Sequence, residues 1–233
     1  MSEQNGITYQ ILQKPDLEQT INCLVDVFSS AEPIIKALQI TPTELYPFAK
    51  IVCQKSVENG LSLIAKDPAT SKVVGFIISE DLSEDLSEDL SEDLSKKSPE
   101  EINKNILQDQ KLEILLKLLK ELNEQYEKQK KSFIGKMFHI YFLGIIEKYR
   151  GRRISNNLVE KNLNMAIEKG FLVAKVEATG NISQHIFRKY GFEDRYSIDY
   201  QTYEYKGRKI LQGIKKHKSL ILMDKVLIPN PLC

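Results

Sequence analysis

No apolar run in this chain of 233 residues approaches the roughly 20 residues that a membrane-crossing helix requires. The longest lies near Ile140–Ile146 and is strand-sized. The opening stretch, MSEQNGITYQ, lacks the basic and apolar regions of a secretory signal. Cysteine is scarce: Cys23, Cys53 and Cys233 are scattered, odd in number, and without CxxC spacing or a neighbouring histidine. They read as reduced thiols of a cytoplasmic protein, not as a disulfide frame or a metal site. An excess of one charge is also missing. A net charge of +1 with 28% charged residues points to no nucleic-acid or membrane surface.

What is present is enough apolar material, 42% of residues, for one well-buried domain with an insertion, or two small ones. The stretch His139–Asn157, HIYFLGIIEKYRGRRISNN, organises the rest. Its apolar start reads as a buried strand. The chain turns at Tyr149-Arg150-Gly151. Ile154, Leu158, Val159, Leu163, Met165 and Ala166 then carry a helical period, and Gly170 follows where a helix C-terminal glycine belongs.

A helix entered this way offers unpaired N–H groups and the positive end of its dipole. Arg150, Arg152 and Arg153 add charge at the same place, which suits a phosphate or pyrophosphate. The same residues also fit an ordinary strand-to-helix turn with three solvated arginines.

Elsewhere, Ile7–Leu12 reads as an edge strand and Asp16–Phe28 as a helix with Leu17, Ile21, Leu24, Val25 and Phe28 on one face. Glu32 precedes Pro33, so extended backbone on a turn is expected there, off any helix flank. A helix from Thr41-Pro42-Thr43-Glu44 runs to Gly60. Two strands, Leu61–Ala65 and Val73–Ser79, follow it. From Ser79 to Leu94 the sequence SEDL repeats four times, with eight carboxylates. Leucines four apart drift about 40° per step around a helix, so residues 79–97 are expected as a solvated, disordered acidic arm. Ser98-Pro99-Glu100-Glu101 begins an inserted helix over 98–131, with Leu112, Leu115, Leu116, Leu119, Leu122 and Tyr126 facing a core. Leu172–Ala178 is a strand, Ile182–Tyr190 a short helix closed by Gly191, and Tyr196–Tyr205 and Leu220–Leu227 two final strands. The expected fold is α/β (α+β): a mixed sheet flanked by helices, one domain over 1–233.

YRGRRIS resembles the acetyl-CoA turn of the GNAT N-acetyltransferases, written R/Q-x-x-G-x-G/A. Arg150 fits its first position, while Arg153 and Ser155 stand where small residues are usual. EATGNISQHIFRKYGFE, Glu177–Glu193, resembles the second motif of that family. FSSAEPI, Phe28–Ile34, and the tyrosine-rich YQTYEYKGRKI resemble its arylalkylamine subgroup, which tolerates a long insertion after the third strand.

The resemblance implies a sheet splayed at its centre with acetyl-CoA in the wedge. Leu143, Gly144 and Ile145 would pair their backbone with the pantetheine arm. Arg150, Gly151, Arg152, Arg153, Ile154 and Ser155 would hold the pyrophosphate, and Asn181 and Ser183 match further cofactor positions. Asn181 also reads as a helix cap. The implied activity is transfer of an acetyl group to a primary amine of a small molecule, in a monomer or weak dimer needing no metal. An amine must lose a proton before it attacks a thioester. Glu32 matches the base of insect members, although a solvated turn carboxylate or a binder of a cationic substrate fits it equally. His139 is a second candidate base, or a structural histidine. The tyrosine that many relatives use as acid is Phe187 here, leaving Tyr190, Tyr203, Tyr205 or Ser183 as substitutes. A catalytically impaired acyl-CoA-binding protein and a protein-lysine acetyltransferase are the competing readings.

Overall fold

Among the described residues, eight strands make one sheet in the order β1-β2-β3-β4-β5-β6-β8-β7. The strands are β1 (Ser2–Gln4), β2 (Ile7–Ile11), β3 (Leu63–Asp67), β4 (Lys72–Asp81), β5 (Met137–Ile145), β6 (Val173–Ala178), β7 (Glu193–Asp199) and β8 (Ser219–Val226). A computed structural model describes residues 2–4, 6–82, 110–129 and 136–227. All described neighbouring strands pair antiparallel except β5 with β6, which run parallel. A parallel neighbour needs a crossover, and the basic turn and the helix after it supply one.

The helices are α1 (Leu17–Ala31), α2 (Pro33–Ala37), α3 (Pro42–Asn59), α4 (Gln110–Gln129), α5 (Ile154–Glu168) and α6 (Asn181–Lys189). Local chemistry sets their ends. Thr41 and Glu44 form a reciprocal capping box at the start of α3, and Gly60 closes it at φ 63. That φ is one an L side chain resists.

Each face of the sheet is covered. Leu158, Leu163 and Ala166 of α5 pack on Phe138, Ile140, Ala174 and Val176. Leu24 of α1 and Phe48 and Val52 of α3 pack on Ile64, Phe76 and Ile78 from the other side. Leu118, Leu122 and Tyr126 of α4 extend that layer over Met137, Leu220, Leu222 and Tyr200. Fully burying a side chain the size of Phe76 or Phe138 contributes about 2–3 kcal/mol each.

Several expectations change. The strand at Ile7 is not an edge, because Ser2–Gln4 pairs outside it. α1 runs on to Ala31. The strand expected over Tyr196–Tyr205 ends at Asp199. There the backbone folds into turns, held by Asp199 accepting the Gln201 N–H at 2.7 Å.

The first SEDL unit is not part of a solvated arm. Ser79, Glu80 and Asp81 belong to β4. Ser79 is buried, donates its N–H to the Ser62 hydroxyl at 2.9 Å and its own hydroxyl to Asn162 of α5 at 2.9 Å. Buried polar groups persist when partnered in this way. The remaining repeats and the Ser98 helix start lie outside the described residues, and Gln110–Gln129 is the described part of the inserted helix.

Candidate active site

The sheet opens between β5 and β6. Their pairing stops at Ile140 opposite Val176. Beyond it, Phe142–Ile145 pairs only with β4, and Glu177 and Ala178 only with β8. One residue marks the change. Ile78 faces Phe142 while Ser79 faces Ile140, so Tyr141 is extra, a bulge that bends its strand. The bulge also shifts the inside–outside alternation. Phe138 and Ile140 join the α5 side, whereas Tyr141 and Phe142 both pack toward α1 and α3. Leu143 and Ile145 return to the α5 side. The predicted segment Leu143, Gly144, Ile145 thus borders the opening with one edge unpaired by β6, as an extended ligand arm requires. Gly144 has a structural role as well: a Cβ there would lie 2.3 Å from the Phe76 ring.

The basic turn lies beside that opening. Tyr149 donates to Asp67 at 2.6 Å, and Arg152 stacks its guanidinium 5.0 Å from the Tyr149 ring centre. Arg150 is extended, with its Nε 3.4 Å from the Ile145 carbonyl. Gly151 is at φ 79 and Arg153 at φ 60, and α5 begins at Ile154 with no side-chain cap. Among the described residues, the N–H groups of residues 151 to 156 have no protein acceptor. Alternating positive φ and a helix start turn such groups toward a common centre, an anion-binding nest. Arg150, Gly151, Arg152, Arg153, Ile154 and Ser155 make up this turn and the start of α5. Arg153, standing where the resembled turn motif has glycine, takes the left-handed conformation, and its side chain is exposed. Whatever Arg153 costs, it does not close the nest.

Asn181 is not a cap. Gly180 holds the N-cap position of α6 without a side-chain bond. The Asn181 side chain donates to the Lys216 carbonyl at 2.9 Å and its N–H to His217 Nδ1 at 3.1 Å. Ser183 donates back to the Gly180 carbonyl at 2.8 Å, leaving its oxygen lone pairs available.

Glu32 is extended, at φ −73 and ψ 126, as a residue before proline should be. It is nevertheless the joint between two helices, closing α1 and capping α2, with one carboxylate oxygen accepting the Ile35 N–H. It is only 9% exposed, so it is not a solvated turn carboxylate. Its other oxygen, Oε1, is buried and has no hydrogen-bond partner among the described residues. Burial pushes its pKa up, against the lowering effect of the Ile35 N–H and the nearby Thr179 hydroxyl. Thr179 ends the opening on the β6 side, and Tyr200, whose ionisation Glu32 opposes, donates to the Thr179 carbonyl at 2.7 Å. Phe28, four residues earlier, packs edge-on against Phe142 at 4.9 Å. Glu32 thus holds a buried carboxylate oxygen without a hydrogen-bond partner among the described residues, in a group whose pKa burial raises.

His139 does not have that freedom. Its Nδ1 lies 3.1 Å from Glu80 and its Nε2 2.6 Å from Glu177. Burial alone would lower its pKa, but the charge and hydrogen bond of Glu177, with Glu80, raise it to about 9. Glu177 is held well below the ordinary carboxylate range, since His139 and Lys175 outweigh its burial. When protonated, an imidazole with both nitrogens hydrogen-bonded to carboxylates has no lone pair for an amine proton. Lys175 continues the row, 3.5 Å from Glu177 and 2.6 Å from the Asn123 side-chain oxygen on α4. Polar residues two apart in an otherwise apolar strand, Lys175 and Glu177, were the available signal for this row.

Of the acid candidates, Phe187 is buried against Phe192 and holds no proton to give. Tyr190 donates to the Asn156 carbonyl at 2.9 Å and Tyr205 lies 3.3 Å from Glu113. The Tyr203 hydroxyl is buried without a hydrogen-bond partner among the described residues, and burial with the Glu121 charge pushes it up to about 12. Among the described residues no group of three or more His, Cys, Asp or Glu is placed to hold a metal, and no helix is long and apolar enough to cross a membrane.

No family model and no curated protein sequence matches this chain. Solved structures do. Arylalkylamine N-acetyltransferase 2 from Aedes aegypti is 26% identical, with a TM-score of 0.81 over 96% of this chain and 100% of that one. An agmatine N-acetyltransferase, a point mutant in its apo form, gives 0.78 at 17% identity over 96% and 100%. The polyamine N-acetyltransferase of Drosophila melanogaster gives 0.77 at 17% over 95% and 100%. The fold is that of the GNAT N-acetyltransferases, and these neighbours are of the subgroup that the sequence resembles.

Proposed function

We propose that this chain is an acetyl-CoA-dependent N-acetyltransferase acting on the primary amine of a small molecule. The observation that carries the reading is the buried, unpartnered Oε1 of Glu32 beside Thr179, at the end of β6 where it parts from β5.

The chain fits the donor. The free N–H groups of residues 151 to 156 and the guanidinium groups of Arg150 and Arg152 match a pyrophosphate. The unpaired edge of Leu143, Gly144 and Ile145 matches the amide-bearing arm. Acetyl-CoA supplies the activated acyl group as a thioester.

Glu32 takes the proton. An ammonium group near pKa 10 is inert until deprotonated, and a carboxylate whose affinity for protons is raised by burial is a better base than one in water. The Ile35 N–H fixes its orientation, leaving Oε1 to receive the proton. Backbone N–H groups near Leu143 stabilise the oxyanion formed as the amine adds. The leaving thiolate, with a pKa near about 8.5 for an ordinary thiol, needs no strong acid.

Transfer is direct, within one ternary complex. Cys23 and Cys53 are buried and pushed up to about 12, mainly by that burial, so neither serves as an acyl-carrying thiolate. Phe28, Tyr141 and Phe142, all partly exposed, form the aromatic wall for an arylalkylamine.

The deciding experiment follows free thiol release from acetyl-CoA over arylalkylamines, agmatine, polyamines and lysine peptides. Turnover with a small amine, lost in Glu32→Gln with CoA binding intact, is expected. CoA binding without turnover on any amine overturns the reading.

A further inference from the structure

The segment joining β7 to β8 carries the strongest charge imbalance among the described loops. Between Lys206 and Lys218 it has six cations, Lys206, Arg208, Lys209, Lys215, Lys216 and Lys218, and no carboxylate. All six are exposed, and none makes an ion pair among the described residues. Some cations elsewhere do: Lys66 with Asp16, Lys111 with Glu44, Arg188 with Asp194, and Arg195 with Asp224. Asp199 and Glu204 precede the run and leave it in excess.

This loop is anchored. Leu211 and Ile214 are buried under it, and Gln201 donates to the Ile214 carbonyl at 2.9 Å. Its position is the informative feature. Tyr200, at its start, bonds to the Thr179 carbonyl beside Glu32, and the Tyr200 N–H bonds to the Lys218 carbonyl at 3.0 Å. At its end, Lys216 and His217 grip Asn181. Both ends of the β7–β8 connection therefore meet the stretch from Thr179 to Asn181, next to the candidate base, and the cations at Lys215, Lys216 and Lys218 lie at one of them. Burial and the Lys216 charge also lower the pKa of His217, which keeps it uncharged there.

Resting on the acetyltransferase reading above, we infer that this loop selects the acceptor: an amine whose far end is anionic, a carboxylate above all, is taken in preference to a polycation. Unpaired cations at the rim of a site raise the local concentration of an anionic group and repel a second positive one. The chain thus departs in specificity from its agmatine and polyamine neighbours while sharing their fold.

The test compares 5-aminopentanoate with agmatine, which share a four-carbon amine arm and differ in the charge of the planar end. Tyramine serves as the uncharged reference. In the full chain, kcat/KM for 5-aminopentanoate should exceed that for agmatine by about tenfold or more at low salt, with the ratio shrinking as salt rises. The triple variant Lys215→Glu, Lys216→Glu, Lys218→Glu should bring the ratio to unity or below, and the triple Gln variant should fall between. Neither should change tyramine turnover or the KM for acetyl-CoA. Agmatine preferred by the wild type, or a ratio unmoved in both variants, overturns the inference while tyramine turnover keeps the acetyltransferase reading. A raised KM for acetyl-CoA with an unmoved ratio reassigns the loop to the cofactor. Absence of turnover on all three amines removes both readings together.

Discussion

The Nε2 atom of His139 lies 2.6 Å from a carboxylate oxygen of Glu177, a contact between side chains 38 residues apart. The strand register produces it. His139 pairs with Lys175 across β5 and β6, which places Glu177, two residues on, over the same face. With the pKa of His139 raised to about 9, the pair is an ion pair at neutral pH.

A pH dependence of stability follows. A histidine whose folded pKa lies above its unfolded value of about 6.5 contributes stability that is complete below pH 6.5 and lost as pH rises through about 9. Denaturant titrations should lose on the order of 3 kcal/mol across that window. His139→Gln should cost about 3 kcal/mol at pH 6.5 and flatten the slope. An equal slope in the variant would assign the effect to other groups.

Glu32→Gln keeps an acceptor for the Ile35 N–H, so its thermal midpoint should stay near wild type. Its kcat should fall by about 100-fold or more with acetyl-CoA KM unchanged. Because the pKa of Glu32 is raised, wild-type activity should decline on the acid side as this group protonates, and the variant should lack that limb. Full kcat in Glu32→Gln would end its assignment as the base. Glu32→Ala also removes the α2 cap, costing about 1 kcal/mol more.

Arg153 at φ 60 carries a conformational penalty that glycine does not. Arg153→Gly should leave stability within about 0.5 kcal/mol of wild type or raise it, while Arg153→Val should cost about 1–2 kcal/mol. Chemical denaturation of the two variants side by side reads the difference, and equal values would mean the turn relaxes. Arg153→Gly should weaken CoA binding only modestly, since the backbone nest survives.

Gly144→Ala should destabilise by about 1–3 kcal/mol, because the added methyl meets the Phe76 ring at 2.3 Å. Shrinking that ring in the double variant with Phe76→Leu should recover part of the loss. No recovery would place the strain in the backbone.

Local signals in the sequence carried far. The strand–turn–helix unit, the helix start at Thr41, and the glycines at 60, 170 and 191, all at positive φ, were legible because each depends on a few adjacent residues. Contacts set by register were not. Nothing near His139 announces Glu80 or Glu177, and nothing near Glu32 announces Thr179 or Tyr200. The place of the first SEDL unit was hidden by repetition: nothing in the composition of Ser79 and Glu80 marks them as strand residues paired with Ile140 and His139. Tyr200–Tyr205 has strand-like side chains, yet lies in turns because the sheet ends at Asp199.

Tyr141 makes the opening a matter of counting. One surplus residue lets β5 lie flush with β6 before it and leave that partner after it, without any special side chain at the junction. Substituting Tyr141 would change the lining and leave the gap, whereas deleting it would restore plain alternation from Phe138 to Ile145. Ile140 and Leu143 would keep to the α5 side and Phe142 to the α1 side, but the bulge that bends β5 would be lost. The opening is therefore written in the length of the strand, and its lining in the side chains around it.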